Sequence, residues 1–199
     1  MKRFNYILIL IVSILSLYIA LFGNIEHTLY KYLIIFSIVP VMLLPYIVKK
    51  IFKFKLDESI IILYLVFVFF AHFLGTIVNL YGKIAIYDKL MHTFSGVMTS
   101  FLALIILVKS KNYKSKSIWY NILYIIAITC TVAVLWEMFE FTCDNLFNKD
   151  AQRVALTGVA DTMTDVIVAF LGSCMFSLFY FYEEKLKKNL IIKRFIKSI

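Results

Sequence analysis

The chain has 199 residues, 62% of them hydrophobic and 17% charged, with a mean hydropathy of +0.89. A soluble domain is nearer half apolar and a quarter charged, so the composition argues against that class. The formal charge of +9 would suit a polyanion, but the basic residues lie between long apolar runs, and no nucleic-acid partner is expected. A membrane barrel is disfavoured too, because its strands alternate apolar and polar over about ten residues and no segment here does so for long.

A bilayer core of about 30 Å is crossed by roughly 20 apolar residues in a helix. Six stretches meet that requirement: 5–23, 29–48, 59–79, 88–108, 118–141 and 161–182. The expected fold is therefore all-α, an integral membrane bundle of about six transmembrane helices. Lys2 and Arg3 precede the first span in the manner of a signal peptide, but no small-x-small cleavage site follows it, so the span is expected to be retained.

Basic residues assign the topology. Lys2 and Arg3, then Lys49, Lys50, Lys53 and Lys55, then Lys109, Lys111, Lys114 and Lys116, then Lys185, Lys187, Lys188, Lys193, Arg194 and Lys197 occupy one set of alternate ends. The other set holds Lys31, Lys83, Lys89, Lys149 and Arg153. The positive-inside rule then predicts cytoplasmic termini and outward loops after spans one, three and five. Residues 1–182 form the expected transmembrane domain and 183–199 a basic amphipathic cytoplasmic tail. In that tail Leu186, Leu190, Ile191, Phe195 and Ile199 make an apolar stripe suited to the anionic inner leaflet. Cys130, Cys143 and Cys174 show no metal-binding spacing and read as small apolar fillers.

Three polar pairs interrupt the apolar pattern. Asp88 and His92 open span four, Glu137 and Glu140 close span five, and Asp161 and Asp165 open span six. Residues three or four apart share a helix face, so each pair can aim at one place. The topology puts all three at the outer boundary, with His92, Glu137 and Asp165 the deeper members. His72 adds an imidazole in the outer half of span three.

Carboxylates in the apolar zone cost a few kcal/mol each and require compensation. It could come from a bound cation, from protonation, from imidazolium at His72 or His92, or from boundary cations such as Lys89 and Arg153. Three readings follow. The groups can be hydrogen-bonded glue between helices. They can line a proton or cation path. They can also hold a divalent metal such as Zn, Mn or Fe. In the metal reading His72, His92, Glu140 and Asp161 are candidate ligands and Glu137 and Asp165 candidate catalytic carboxylates, with Asp88 orienting His92. The corresponding function is a metal-dependent hydrolase acting on a lipid or envelope precursor. The alternatives are a non-catalytic envelope or resistance factor that binds a small amphiphile, and a proton- or cation-coupled transporter. No HExxH, GxSxG or Gly-rich phosphate loop is present.

These motifs resemble the YjdF family of bacterial inner-membrane proteins. The resemblance rests on Tyr87-Asp88-Lys89-Leu90-Met91-His92 followed by Gly96, and on Glu137-Met138-Phe139-Glu140 backed by Phe141. It extends to Thr157-Gly158 leading into Asp161-Thr162-Met163-Thr164-Asp165 and Gly172, and to His72 ahead of Tyr81-Gly82. Thr93 stands where that family usually has an aromatic, and Gly158 where it tends to have an acid. A looser similarity links the Asp-x-x-x-His, Glu and final Asp motifs to VanZ-like proteins. The resemblance implies a multi-pass protein of the bacterial cytoplasmic membrane whose polar motifs belong to one site.

Overall fold

The computed structural model describes residues 1–51, 53, 56–113, 117–152, 154–187 and 190–198. Lys55, Lys114, Lys116, Arg153, Lys188 and Ile199, which entered the charge and tail arguments, lie outside the described residues. All regular structure among the described residues is helical. In chain order the helices are α1 (Lys2–Phe22), α2 (Leu29–Ile51), α3 (Glu58–Val68), α4 (Leu80–Lys83), α5 (Tyr87–Lys109), α6 (Ile118–Phe147), α7 (Val154–Thr157), α8 (Ala160–Lys185) and α9 (Ile191–Ser198). α3 runs on without a break into a wider π-helical segment, Phe69–Ile77. Six of these rods are long and apolar enough to cross a membrane, and they coincide with the six expected spans. Leu10, Ile14, Leu123, Leu135 and Met175 are among many large apolar side chains left exposed on them. Such a surface is unfavourable in water and suits contact with lipid tails.

The chain divides into two compact units, Met1–Tyr87 and Asp88–Ile199. In the first, α1, α2 and α3 close around Val12, Ile35, Ile38, Met42, Ile61 and Leu65, all fully buried. Pro45 has no N–H to offer the carbonyl four residues earlier, Val41. The Tyr64 hydroxyl donates to that carbonyl at 2.8 Å, so an acceptor left open by proline is satisfied from the neighbouring helix. At the other end of α3, Asp57 accepts the Ser59 N–H at 2.8 Å and caps the helix.

The second unit is built on small residues. Gly96 and Ser100 of α5 meet Ala169, Gly172 and Ser173 of α8, with backbone against backbone at both glycines. Ser100 Oγ donates to Ser173 Oγ at 3.0 Å and lies 3.4 Å from Thr129 Oγ1 of α6, tying three helices together at one level. Small residues that let helices approach, with hydroxyls that bridge them, are the usual means of helix association in lipid. Farther along, Leu104, Ile125, Phe176, Tyr180 and Ile192 form the apolar core.

α6 extends past the expected end at Phe141 to Phe147. Thr142, Asp144 and Asn145 look like a polar stop, yet each is accommodated in helix. Thr142 and Asn145 bond back to the Met138 and Phe141 carbonyls. Asp144 accepts the Ala151 and Gln152 N–H groups of the following turn, at 2.8 and 3.1 Å. Asn148, at φ 51°, ends the helix in the left-handed conformation that asparagine tolerates. At 1.5 Å per residue the 30-residue helix is about 45 Å long, so Glu137 and Glu140 lie two to three turns inside its end.

Candidate polar site in the second unit

The start of α5, the later part of α6 and the start of α8 supply the polar groups. The i, i+4 spacing of Asp88 and His92 does place them side by side, with His92 Nε2 3.6 Å from Asp88 Oδ1. The same nitrogen is 3.8 Å from Asp165 Oδ1 on α8. One oxygen of Asp88, one ring nitrogen of His92 and one oxygen of Asp165 all lie within 4.8 Å of one another. Asp165 is buried, and the side chains of Asp88 and His92 are nearly so.

Lys89 stands in the middle of the acids. Its ammonium is 2.6 Å from Asp161 Oδ1, 2.8 Å from Asp165 Oδ1 and 3.4 Å from Asp88 Oδ2. The sequence offers it as a boundary cation; it sits one residue from Asp88 and still reaches across to α8. A long flexible side chain makes this possible, and sequence spacing alone cannot show it. Helix α5 thus presents an acid, a cation and an imidazole to the opening turns of α8.

Glu137 is buried, and the connection after α6 folds back over it. Gln152 Nε2 donates to the Glu137 carbonyl at 3.1 Å and to Glu137 Oε2 at 3.3 Å. Glu137 Oε1 makes no hydrogen bond among the described residues; the Thr162 hydroxyl of α8 is a neighbouring group. His92 and Asp88 lie within electrostatic reach of Glu137, and Asp88 and Asp165 within reach of Glu140. Glu140 also accepts the Trp136 indole N–H at 2.9 Å on an exposed side of α6. Gln152 was not singled out from the sequence, since a glutamine in a polar loop carries no signal until the loop is folded. It is buried all the same.

His72 belongs to the first unit, in the π-helical segment. Its Nε2 is 2.9 Å from Ser37 Oγ and 3.1 Å from the Ile34 carbonyl, both on α2. π-Helical turns often mark functional positions, but here the imidazole is hydrogen-bonded within its own unit.

Five carboxyl groups, a lysine and an imidazole lie among helices otherwise clad in apolar residues, as in a membrane protein with a polar cluster between its helices. The chain belongs to the family described as "Predicted membrane protein (DUF2238)", which matches residues 5–185. An uncharacterised protein of Thermotoga maritima is 28% identical over 129 residues, a match covering 64% of this chain and 65% of that relative's length. No solved structure matches the chain.

Proposed function

We propose that the polar cluster binds a divalent cation, held by Asp88, His92 and Asp165. The observation that carries this reading is the approach of two carboxylate oxygens from different helices to one imidazole nitrogen, at 3.6 and 3.8 Å. Donors on a tetrahedron with bonds of 2.0–2.1 Å are roughly 3.3 Å apart, so the three donors, all within 4.8 Å of one another, would draw in around an ion. Three protein donors also leave a position for water or substrate. The buried Glu137 Oε1 adds an acceptor without a hydrogen bond on the neighbouring helix. Asp161 has a different part in this reading, because it holds Lys89 at 2.6 Å. Asp88 moves from orienting His92 to holding the ion beside it.

A metal here would supply Lewis acidity or a water made acidic enough to attack at neutral pH. In this reading Glu137, buried and held by Gln152 within electrostatic reach of His92, would take the proton. The finer reading is a hydrolase of a lipid or envelope precursor, in the bacterial cytoplasmic membrane, with both termini cytoplasmic and the site toward the outer face. The lysine and arginine distribution supports the orientation and the YjdF resemblance the bacterial membrane, while the hydrolase rests on the position that three protein donors leave open. Elemental analysis of protein purified after growth with zinc, manganese and iron tests the metal. The expected result is near-stoichiometric metal in wild type and its loss in Asp88→Asn and Asp165→Asn. A wild-type protein free of all three metals would overturn the proposal.

Lys89 favours a second reading, in which the cluster is an ion-paired clamp between α5 and α8. The clamp predicts no metal in the wild type and a large loss of stability in Lys89→Gln.

A further inference from the structure

The opposite end of the second unit carries a groove of about 610 Å³ between the end of α5, the end of α8 and α9. Lys111, Lys193 and Lys197 line it, with Val108 and Ile196 as apolar wall. Glu184, the acid in the lining, is already engaged: Tyr113 Oη donates to it at 2.5 Å and Lys193 Nζ lies 3.3 Å away. Lys111 and Lys197 make no ion pair among the described residues. The groove therefore presents two cations whose charge nothing described in its lining neutralises.

Its depth is equally telling. Twenty residues of α5 separate Asp88 from Val108, about 30 Å of helix and the thickness of the hydrocarbon core. In a bilayer whose hydrocarbon begins at Asp88, the groove falls at headgroup level in the opposite leaflet. α9 is fixed there, not trailing: Glu183, itself buried, accepts the N–H groups of Leu190, Ile192 and Lys193 at 2.8–2.9 Å, and Ile192 and Phe195 pack into the core. A cationic recess walled by apolar residues at this level suits the phosphate of a lipid whose chains remain in the bilayer.

We propose that this groove binds the headgroup phosphate of an anionic phospholipid, with Lys111 and Lys197 as its principal charge partners. The test is native mass spectrometry of the full chain in mild detergent, offered phosphatidylglycerol and phosphatidylcholine in equal amounts. Phosphatidylglycerol should be retained in preference, and Lys111→Gln/Lys197→Gln should weaken its retention about 20-fold. Lys111→Arg/Lys197→Arg should restore it, which separates charge from folding. Equal retention of the two lipids by wild type, or unchanged retention in the glutamine variant, would overturn the assignment. Displacement of phosphatidylglycerol by glycerol 1-phosphate at the same concentration would also overturn it, since the ligand would then be a soluble phosphate ester.

Discussion

Lys89 of α5 and Asp165 of α8 stand 2.8 Å apart, Nζ to Oδ1, and the same Asp165 oxygen faces His92 Nε2 at 3.8 Å. A lysine and a metal would therefore draw on one carboxylate oxygen. With a metal bound their effects would be coupled: whichever cation is lost, the acids would need the other more. Lys89→Gln is expected to lower stability by about 3 kcal/mol without metal, the usual cost of leaving buried charge uncompensated. Added Mn²⁺ or Zn²⁺ should raise the melting temperature of the variant more than that of wild type. Equal metal-induced shifts in the two proteins would rule out a shared oxygen.

Gly96 and Gly172 lie where α5 and α8 touch through their backbones. A Cβ at Gly96 would press on the Ala169 carbonyl oxygen, and one at Gly172 on the Thr93 carbonyl oxygen, both well inside van der Waals contact. Backbone cannot rotate aside as a side chain does. Gly96→Ala and Gly172→Ala should each cost about 1–3 kcal/mol, read as a lower melting temperature in detergent. Because Asp88 and His92 lie on the same helix as Gly96, both variants should also weaken metal retention.

Glu183 is buried among amide donors, accepting the N–H groups of Leu190, Ile192 and Lys193 at 2.8, 2.9 and 2.8 Å. This is a helix cap supplied from seven to ten residues earlier in the chain, and hydrogen bonds to a charged acceptor are the stronger kind. Glu183→Ala should abolish hydrogen-exchange protection at those three amides and release α9, while α5, α6 and α8 keep theirs. Retained protection at Ile192 would show that apolar packing alone holds α9.

Asp57 caps α3 from outside the span, and the Ser59 side chain and N–H hold its carboxyl below the usual carboxylate range. A group with a lowered folded-state pKa contributes stability above its unfolded pKa and loses it as pH falls through the folded value. The contribution should therefore be present at neutral pH and fade on acidification below the ordinary carboxylate range. Asp57→Asn, which caps without titrating, should match wild type at neutral pH and show a flatter acid limb. An unaltered acid limb in thermal melts would remove Asp57 from the pH response.

The tail illustrates where periodicity stops being informative. Leu186, Leu190, Ile191 and Phe195 read as one stripe, but Phe195 turns inward to stack edge-on against Phe101, while Leu186 and Ile191 stay exposed. Ile192, outside the expected stripe, is the fully buried anchor. Tail residues follow the surface they dock on, and that surface is made by α5 and α8.

The spans themselves were legible because the bilayer acts on every residue of a helix at once: a run of about 20 apolar side chains is the requirement, and it is written locally. The pairs Asp88–His92 and Asp161–Asp165 were legible for a similar reason, since helical spacing determines which neighbours share a face. The convergence of α5, α6 and α8, the reach of Lys89 into two aspartates, the return of Gln152 onto Glu137 and the burial of Glu183 under α9 were decided only in three dimensions. Each joins groups on different elements, and such contacts depend on how small residues such as Gly96 and Gly172 let helices meet, which no local pattern encodes.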